Sequence, residues 1–105
     1  MNVNLCDRVS GSLIGGAIGD ALGYPIEFMS LKAIRQKYGN KGYTYYQEFN
    51  NSGKAVISDD TQMTLFTANG LLNYITRVTL TNGFRWQTLV ESVTLAYKDW
   101  LKTQE

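Results

Sequence analysis

An all-α fold follows from three features of this 105-residue sequence. Apolar residues recur at helical spacing in three long stretches. Glycine, proline and capping residues punctuate the breaks between them. The one extended segment without a sustained period, residues 40–57, has the composition of a loop. The expected order is a Gly-rich first helix, a short second helix, a long loop and two further long helices.

The first helix is expected over 5–23. Leu5, Val9, Leu13, Ala17 and Leu22 fall near one face, which Ile14, Ile18 and Ala21 widen. Asn4 or Asp7 is placed to cap it. Gly11, Gly15 and Gly19 line up along one side, for plain packing or for close approach of another backbone. Each interior glycine costs roughly 1 kcal/mol relative to alanine. Gly23 and Pro25 are expected to end the helix. Ser30 then caps a short helix over 31–38, closed by Gly39.

The loop 40–57 carries Gly42, Tyr43, Tyr45, Tyr46, Asn50, Asn51 and Gly53, with a short extended piece at Ala55, Val56 and Ile57. Loops of this length inside compact domains are often functional. The next helix is expected over 59–75, with Met63, Phe66, Leu71, Leu72 and Ile75 apolar. A connection rich in Thr, Asn and Gly follows over 76–83. The last helix, 84–103, has the clearest period: Trp86, Leu89, Val90, Val93, Ala96, Tyr97, Trp100 and Leu101. No repeat, low-complexity tract or linker marks an internal boundary within 1–105.

The bulk numbers exclude several classes of function. The length suits one domain, with a core of modest size. Net charge is +1 and the ten Lys and Arg are scattered, so no basic stripe points to nucleic acid. One cysteine, Cys6, excludes an internal disulfide and a multi-cysteine zinc site. Histidine is absent, which excludes His-dependent triads and His-ligated zinc. Proton transfer then falls to carboxylates or metal-bound water. The N-terminus does not resemble a signal peptide, and no apolar run spans a bilayer. A soluble, cytoplasmic protein is expected.

Chemistry concentrates in two segments. Ser58, Asp59, Asp60 and Thr61 are four consecutive oxygen-bearing side chains at an expected helix start. Two readings coexist. Ser58 makes a good cap and the carboxylates suit the helix dipole; equally, adjacent carboxylates suit a hard cation such as Mg2+. Helical geometry splays adjacent residues by about 100°. Asp59 and Asp60 therefore share one metal only where the chain is still turning. Upstream, Asp20 and Glu27 flank the turn Gly23-Tyr24-Pro25-Ile26. Glu27 is either a solvated loop acid or a carboxylate held on a rigid turn for acid–base work.

The run from Gly15 to Glu27 (Gly-Gly-Ala-Ile-Gly-Asp-Ala-Leu-Gly-Tyr-Pro-Ile-Glu), followed by Ser58-Asp59-Asp60-Thr61-Gln62-Met63-Thr64, resembles the amino-terminal signature of the ADP-ribosylglycohydrolases. The resemblance extends over nearly the whole chain, through Ala96-Tyr97 to Trp100-Leu101. It implies a partial all-helical ADP-ribosylglycohydrolase-like fold and a binuclear Mg2+ (or Mn2+) centre. The activity it implies is hydrolysis of the bond linking ADP-ribose to a protein side chain or small acceptor. Ser58, Asp59 and Asp60 match the family's amino-terminal metal ligands, and Glu27 matches a glutamate implicated in catalysis. With the backbone still turning at Asp59, the resemblance implies that Asp59 and Asp60 converge on one cleft that also contains Glu27. The implied partner is an ADP-ribosylated protein or an ADP-ribose derivative, with neither nucleic acid nor membrane involved.

The family's carboxy-terminal Asp-x-Asp-Thr-type motif has no counterpart: after Asp60 the acids are Glu91, Asp99 and Glu105. The expectation is the amino-terminal part of such a domain, holding half of a metal site and inactive in isolation. The alternatives are a non-catalytic truncated member or a helical interaction module. Self-association or a missing carboxy-terminal half would then cover apolar surface, expected on 11–19 and on the Trp86, Val93, Trp100 stripe.

Overall fold

In the computed structural model, residues 4–81 and 83–105 are described. Their ordered elements are helices: α1 (Leu5–Gly23), a 3-10 turn (Tyr24–Ile26), α2 (Leu31–Tyr38), α3 (Asp59–Thr81) and α4 (Trp86–Lys102). The all-α expectation holds. Among the described residues extended pairing is confined to a single bridge between Glu48 and Ala55. No described helix is long and apolar enough to cross a membrane. The chain divides into two compact units, Met1–Thr61 and Gln62–Glu105.

In the first unit, Asn4 rather than Asp7 caps α1, its side chain accepting from the Cys6 N–H at 3.0 Å. The α1 bounds match the expected 5–23. Gly23 keeps helical angles (φ −77°, ψ −36°), and the Tyr24 N–H still donates to the Asp20 carbonyl. The chain then tightens into the 3-10 turn with Pro25 near its start. Proline fits there because the N–H it lacks has no partner in a first turn.

The α2 bounds match the expected 31–38. Ser30 Oγ accepts from the Ala33 N–H. Gly39 takes φ +78°, a region that favours glycine, and its N–H donates to the Arg35 carbonyl at 2.9 Å. The loop turns back on itself at Asn50 and Asn51, both at positive φ. Bonds from Phe49 N to Lys54 O and from Val56 N to Gln47 O close it. Tyr43 packs edge-on against Tyr38 at the end of α2, ring centroids 5.0 Å apart, and Tyr45 lies 4.3 Å from Tyr43. These three rings fasten the first part of the loop to α2.

In the second unit, α3 passes the expected end at residue 75 and continues to Thr81. The segment 76–81 has the Thr-rich composition of a connection but is helical. Thr76, Thr79 and Thr81 donate their hydroxyls to the carbonyls of Leu72, Ile75 and Arg77, four residues back. The side chains thus bond within the helix instead of competing with it. Asn82, in the expected connection, lies outside the described residues. α4 falls inside the expected 84–103, with end differences of the usual size.

Gly70 on α3 is where α4 comes close: a Cβ there would sit 2.8 Å from Val93 Cα and 3.2 Å from the Ser92 carbonyl oxygen. Ser92 and Ala96 are buried on the facing side, each 2% exposed. Tyr74 is buried too, its ring edge-on to Phe84. Polar contacts join the two helices further along: Thr67 with the Tyr97 hydroxyl at 2.7 Å, and Trp100 Nε1 donating to Gln62 Oε1 at 2.9 Å.

Much apolar surface stays outside. Leu5, Val9, Ile14 and Ile18 of α1 are exposed. On the α4 stripe, Trp86 is exposed, whereas Val93 and Trp100 are half-buried. A Cβ on Gly11, Gly15 or Gly19 would meet nothing within 4 Å among the described residues. Of the two readings of that run, close approach of another backbone is not met there; among the described residues it occurs at Gly70.

Candidate active site

The site lies within the first unit and begins at Asp20, in the last turn of α1. A carboxylate there opposes the helix dipole. Its side chain instead serves the start of α3, where the dipole favours negative charge. Oδ2 accepts from the Ser58 N–H at 2.8 Å, the Thr61 N–H at 3.3 Å and the Thr61 hydroxyl at 2.5 Å. Oδ1 accepts from the Ser58 hydroxyl at 2.7 Å. The Ser58 hydroxyl in turn accepts from the Asp60 N–H at 3.1 Å.

The helix start therefore carries two caps, Ser58 from within the chain and Asp20 from α1. Burial opposes the charge on Asp20, and the hydrogen bonds from Ser58 and Thr61 more than offset it, so its carboxyl is held below the ordinary aspartate range. Thr61 is buried beneath this contact.

Beside the contact lies an open cleft of about 620 Å3. Gly16, Gly19, Asp20 and Gly23 of α1 form one wall. The glycines follow i, i+3, i+7 spacing on one helix face, and their missing side chains leave the groove open. The 3-10 turn contributes Tyr24 and Ile26, with Glu27 and Met29 just after it and Ile34 on α2. Asp60 lines the cleft from the first turn of α3. Pro25 stands near the start of the turn and Glu27 at its end.

The structure thus brings Glu27 and Asp60 to one cleft. Asp59, also exposed, does not line it, so the expected three-way convergence is met by two of its members. Ser58 sits behind Asp60 with its proton committed to Asp20. Its oxygen keeps one lone pair, because it both donates and accepts once. Among the described residues no three acidic or cysteine side chains gather into a metal cage. The donor chemistry nevertheless suits Mg2+, which commonly binds through one or two carboxylates with water and phosphate oxygens.

Asp20 is the residue that sequence reasoning placed beside the turn without giving it a role. Its signal was available: an acid in the last turn of a helix, against the dipole, next to a glycine.

The model of the ADP-ribosylglycohydrolase family matches residues 1–105, and the chain belongs to that family. The ADP-ribosyl-[dinitrogen reductase] glycohydrolase of Rhodospirillum rubrum is 36% identical over 70 residues, covering 62% of this chain and 22% of that protein. An uncharacterized protein of Archaeoglobus fulgidus is 29% identical over 69 residues, 66% of this chain and 23% of that protein. The matched region is thus less than a quarter of either relative's length. No solved structure matches the chain.

Proposed function

We propose that this chain is the amino-terminal part of an ADP-ribosylglycohydrolase domain, cleaving the glycosidic bond between ADP-ribose and a protein side chain or small acceptor. The observation that carries the reading is the shared cleft: Glu27 and Asp60 line one groove walled by glycines. Asp60, with Ser58 behind it, would hold Mg2+ or Mn2+; Asp59, which the family pattern adds as a third ligand, stands outside the cleft lining. The ion, when bound, orients a diphosphate and polarises water. Asp60 approaches from the first turn of α3, and Ser58 offers one neutral lone pair behind it. Glu27, exposed beside the turn, would take or give the proton at the anomeric centre, as one carboxyl does in glycoside hydrolysis. The open glycine wall admits an extended substrate to both. We assign the protein to the cytoplasm, where ADP-ribosylated proteins are its substrates.

These residues supply two carboxylates and one hydroxyl, fewer than a binuclear centre needs. Weak Mn2+ binding and little or no turnover are expected from the 105-residue chain. A second reading, a binding module without turnover, gains support from Asp59 standing outside the cleft.

The test is calorimetric titration of the chain with ADP-ribose, with Mn2+ and with chelator, followed by release assays on ADP-ribosylated arginine and serine peptides. Mn2+-dependent ADP-ribose binding that Asp60→Asn abolishes supports the hydrolase-family site. Binding indifferent to both chelator and Asp60→Asn contradicts it. Turnover by the chain alone, lost in Glu27→Gln, would exclude the module reading.

A further inference from the structure

We infer that Asp20 is a positioning residue: by gripping Ser58 and Thr61 together, its carboxylate fixes the start of α3 and so the direction in which Asp60 faces the cleft and the Ser58 hydroxyl stands behind it. The inference rests on the reading of those two residues as ligands. It deepens that reading by naming what aims them.

The geometry is that of a clamp. Both oxygens of one carboxylate are used, and each of the two clamped residues is held at a side chain and at the backbone. A pair of anchors three residues apart fixes the rotation of the first helical turn as well as its position. Asp60, between them, gains its orientation from both sides, and its own N–H is held by the Ser58 hydroxyl.

Most of the accepting capacity of Asp20 goes to the helix start: Oδ2 is saturated, while Oδ1 accepts once and keeps one lone pair. Asp20 also settles the state of Ser58. The single hydroxyl proton points at Oδ1, so the remaining lone pair is held in one direction. Outer partners of this kind orient the groups that bind a metal, and losing one commonly costs about ten- to a hundredfold in metal affinity. Gly19, directly before Asp20, adds no side chain to obstruct the reach across.

The test uses the 105-residue chain with Mn2+ as the probe. Asp20→Asn and Thr61→Val are the variants, and Asp60→Asn is the control for the metal reading. Asp20→Asn is expected to weaken Mn2+ binding by about ten- to a hundredfold, and Thr61→Val by less. Amide exchange at Ser58, Asp60 and Thr61 is expected to quicken in Asp20→Asn, with the amides around Tyr74 and Ala96 unchanged. Mn2+ affinity equal to wild type in both variants overturns the inference.

If wild type and Asp60→Asn bind Mn2+ equally poorly, the metal reading fails and amide exchange decides. Quicker exchange confined to the helix start upholds the positioning role; unchanged exchange overturns it. Should Asp20→Asn fail to fold, the isosteric Thr61→Val decides by the same readouts.

Discussion

Within Gln62–Glu105, α3 meets α4 through small side chains: Gly70 against the backbone of Val93, with Ser92 and Ala96 buried alongside. Within Met1–Thr61, the start of α3 meets α1 through one carboxylate and four hydrogen bonds. The first contact depends on volume and tolerates no extra atom. The second depends on direction and tolerates little change in charge or donor placement. Packing at Gly70 sets how closely the two helices approach, while the Thr67–Tyr97 and Trp100–Gln62 bonds limit their rotation further along. A helix start held by directed bonds presents its side chains at a fixed angle, and the site is built on the second kind.

The largest effect is expected from Gly70→Val. A Cβ at this position already meets Val93 Cα at 2.8 Å, and backbone cannot step aside cheaply. The added methyls should put the loss at the upper end of the overpacking range, about 3 kcal/mol. Urea denaturation followed by far-UV circular dichroism measures it. A loss below about 0.5 kcal/mol, the range of neutral surface changes, would mean that volume does not govern this contact.

Next comes Asp20→Ala, which strands the Ser58 and Thr61 donors. Hydrogen bonds to charged groups contribute about 1.5–3 kcal/mol; partial exposure of Asp20 places the loss near the lower end. The same carboxylate gives an acid limb. Its folded value is depressed, so its contribution is complete above the unfolded value of about 3.9 and fades as pH falls through the lower folded value. The stability of Asp20→Ala should therefore depend less on pH below about 4 than that of wild type. Equal acid limbs would break the comparison.

The smallest effect, of opposite sign, is expected at Ser92. Among the described residues its Oγ is buried without a hydrogen-bond partner, and such a group costs about 1–3 kcal/mol. Ser92→Ala should leave stability unchanged or raise it, by up to about 1 kcal/mol after the lost packing. Marked destabilisation in the same denaturation experiment would show that the hydroxyl contributes to the contact.

Periodicity made α1 and α4 legible and the capping residues Ser30 and Gly39 marked α2; all three lie close to their expected bounds. Periodicity failed over 76–81, because Thr76, Thr79 and Thr81 have the composition of a loop while their hydroxyls bond back into the helix. Caps at Asn4, Ser30 and Gly39 were readable because they act within a few residues. The bonds of Asp20 reach across some forty residues of sequence, and no local pattern shows such a partner. The glycines of α1 drew attention for packing; in the structure Gly16, Gly19 and Gly23 wall a cleft, and the close helix contact belongs to Gly70. For the site, the motif marked the oxygen donors, but only the turn at Pro25 and the first turn of α3 show that Asp60 faces Glu27's cleft and Asp59 does not.

The central claim is that a divalent cation binds where Glu27 and Asp60 share the cleft. Paramagnetic broadening by Mn2+ in an amide-resolved nuclear magnetic resonance spectrum tests it most directly. The account predicts strongest broadening at Gly19, Glu27 and Asp60, reversed by chelator and absent in Asp60→Asn. Broadening centred instead on Glu91 or Asp99 of α4, or unchanged by Asp60→Asn, would contradict it.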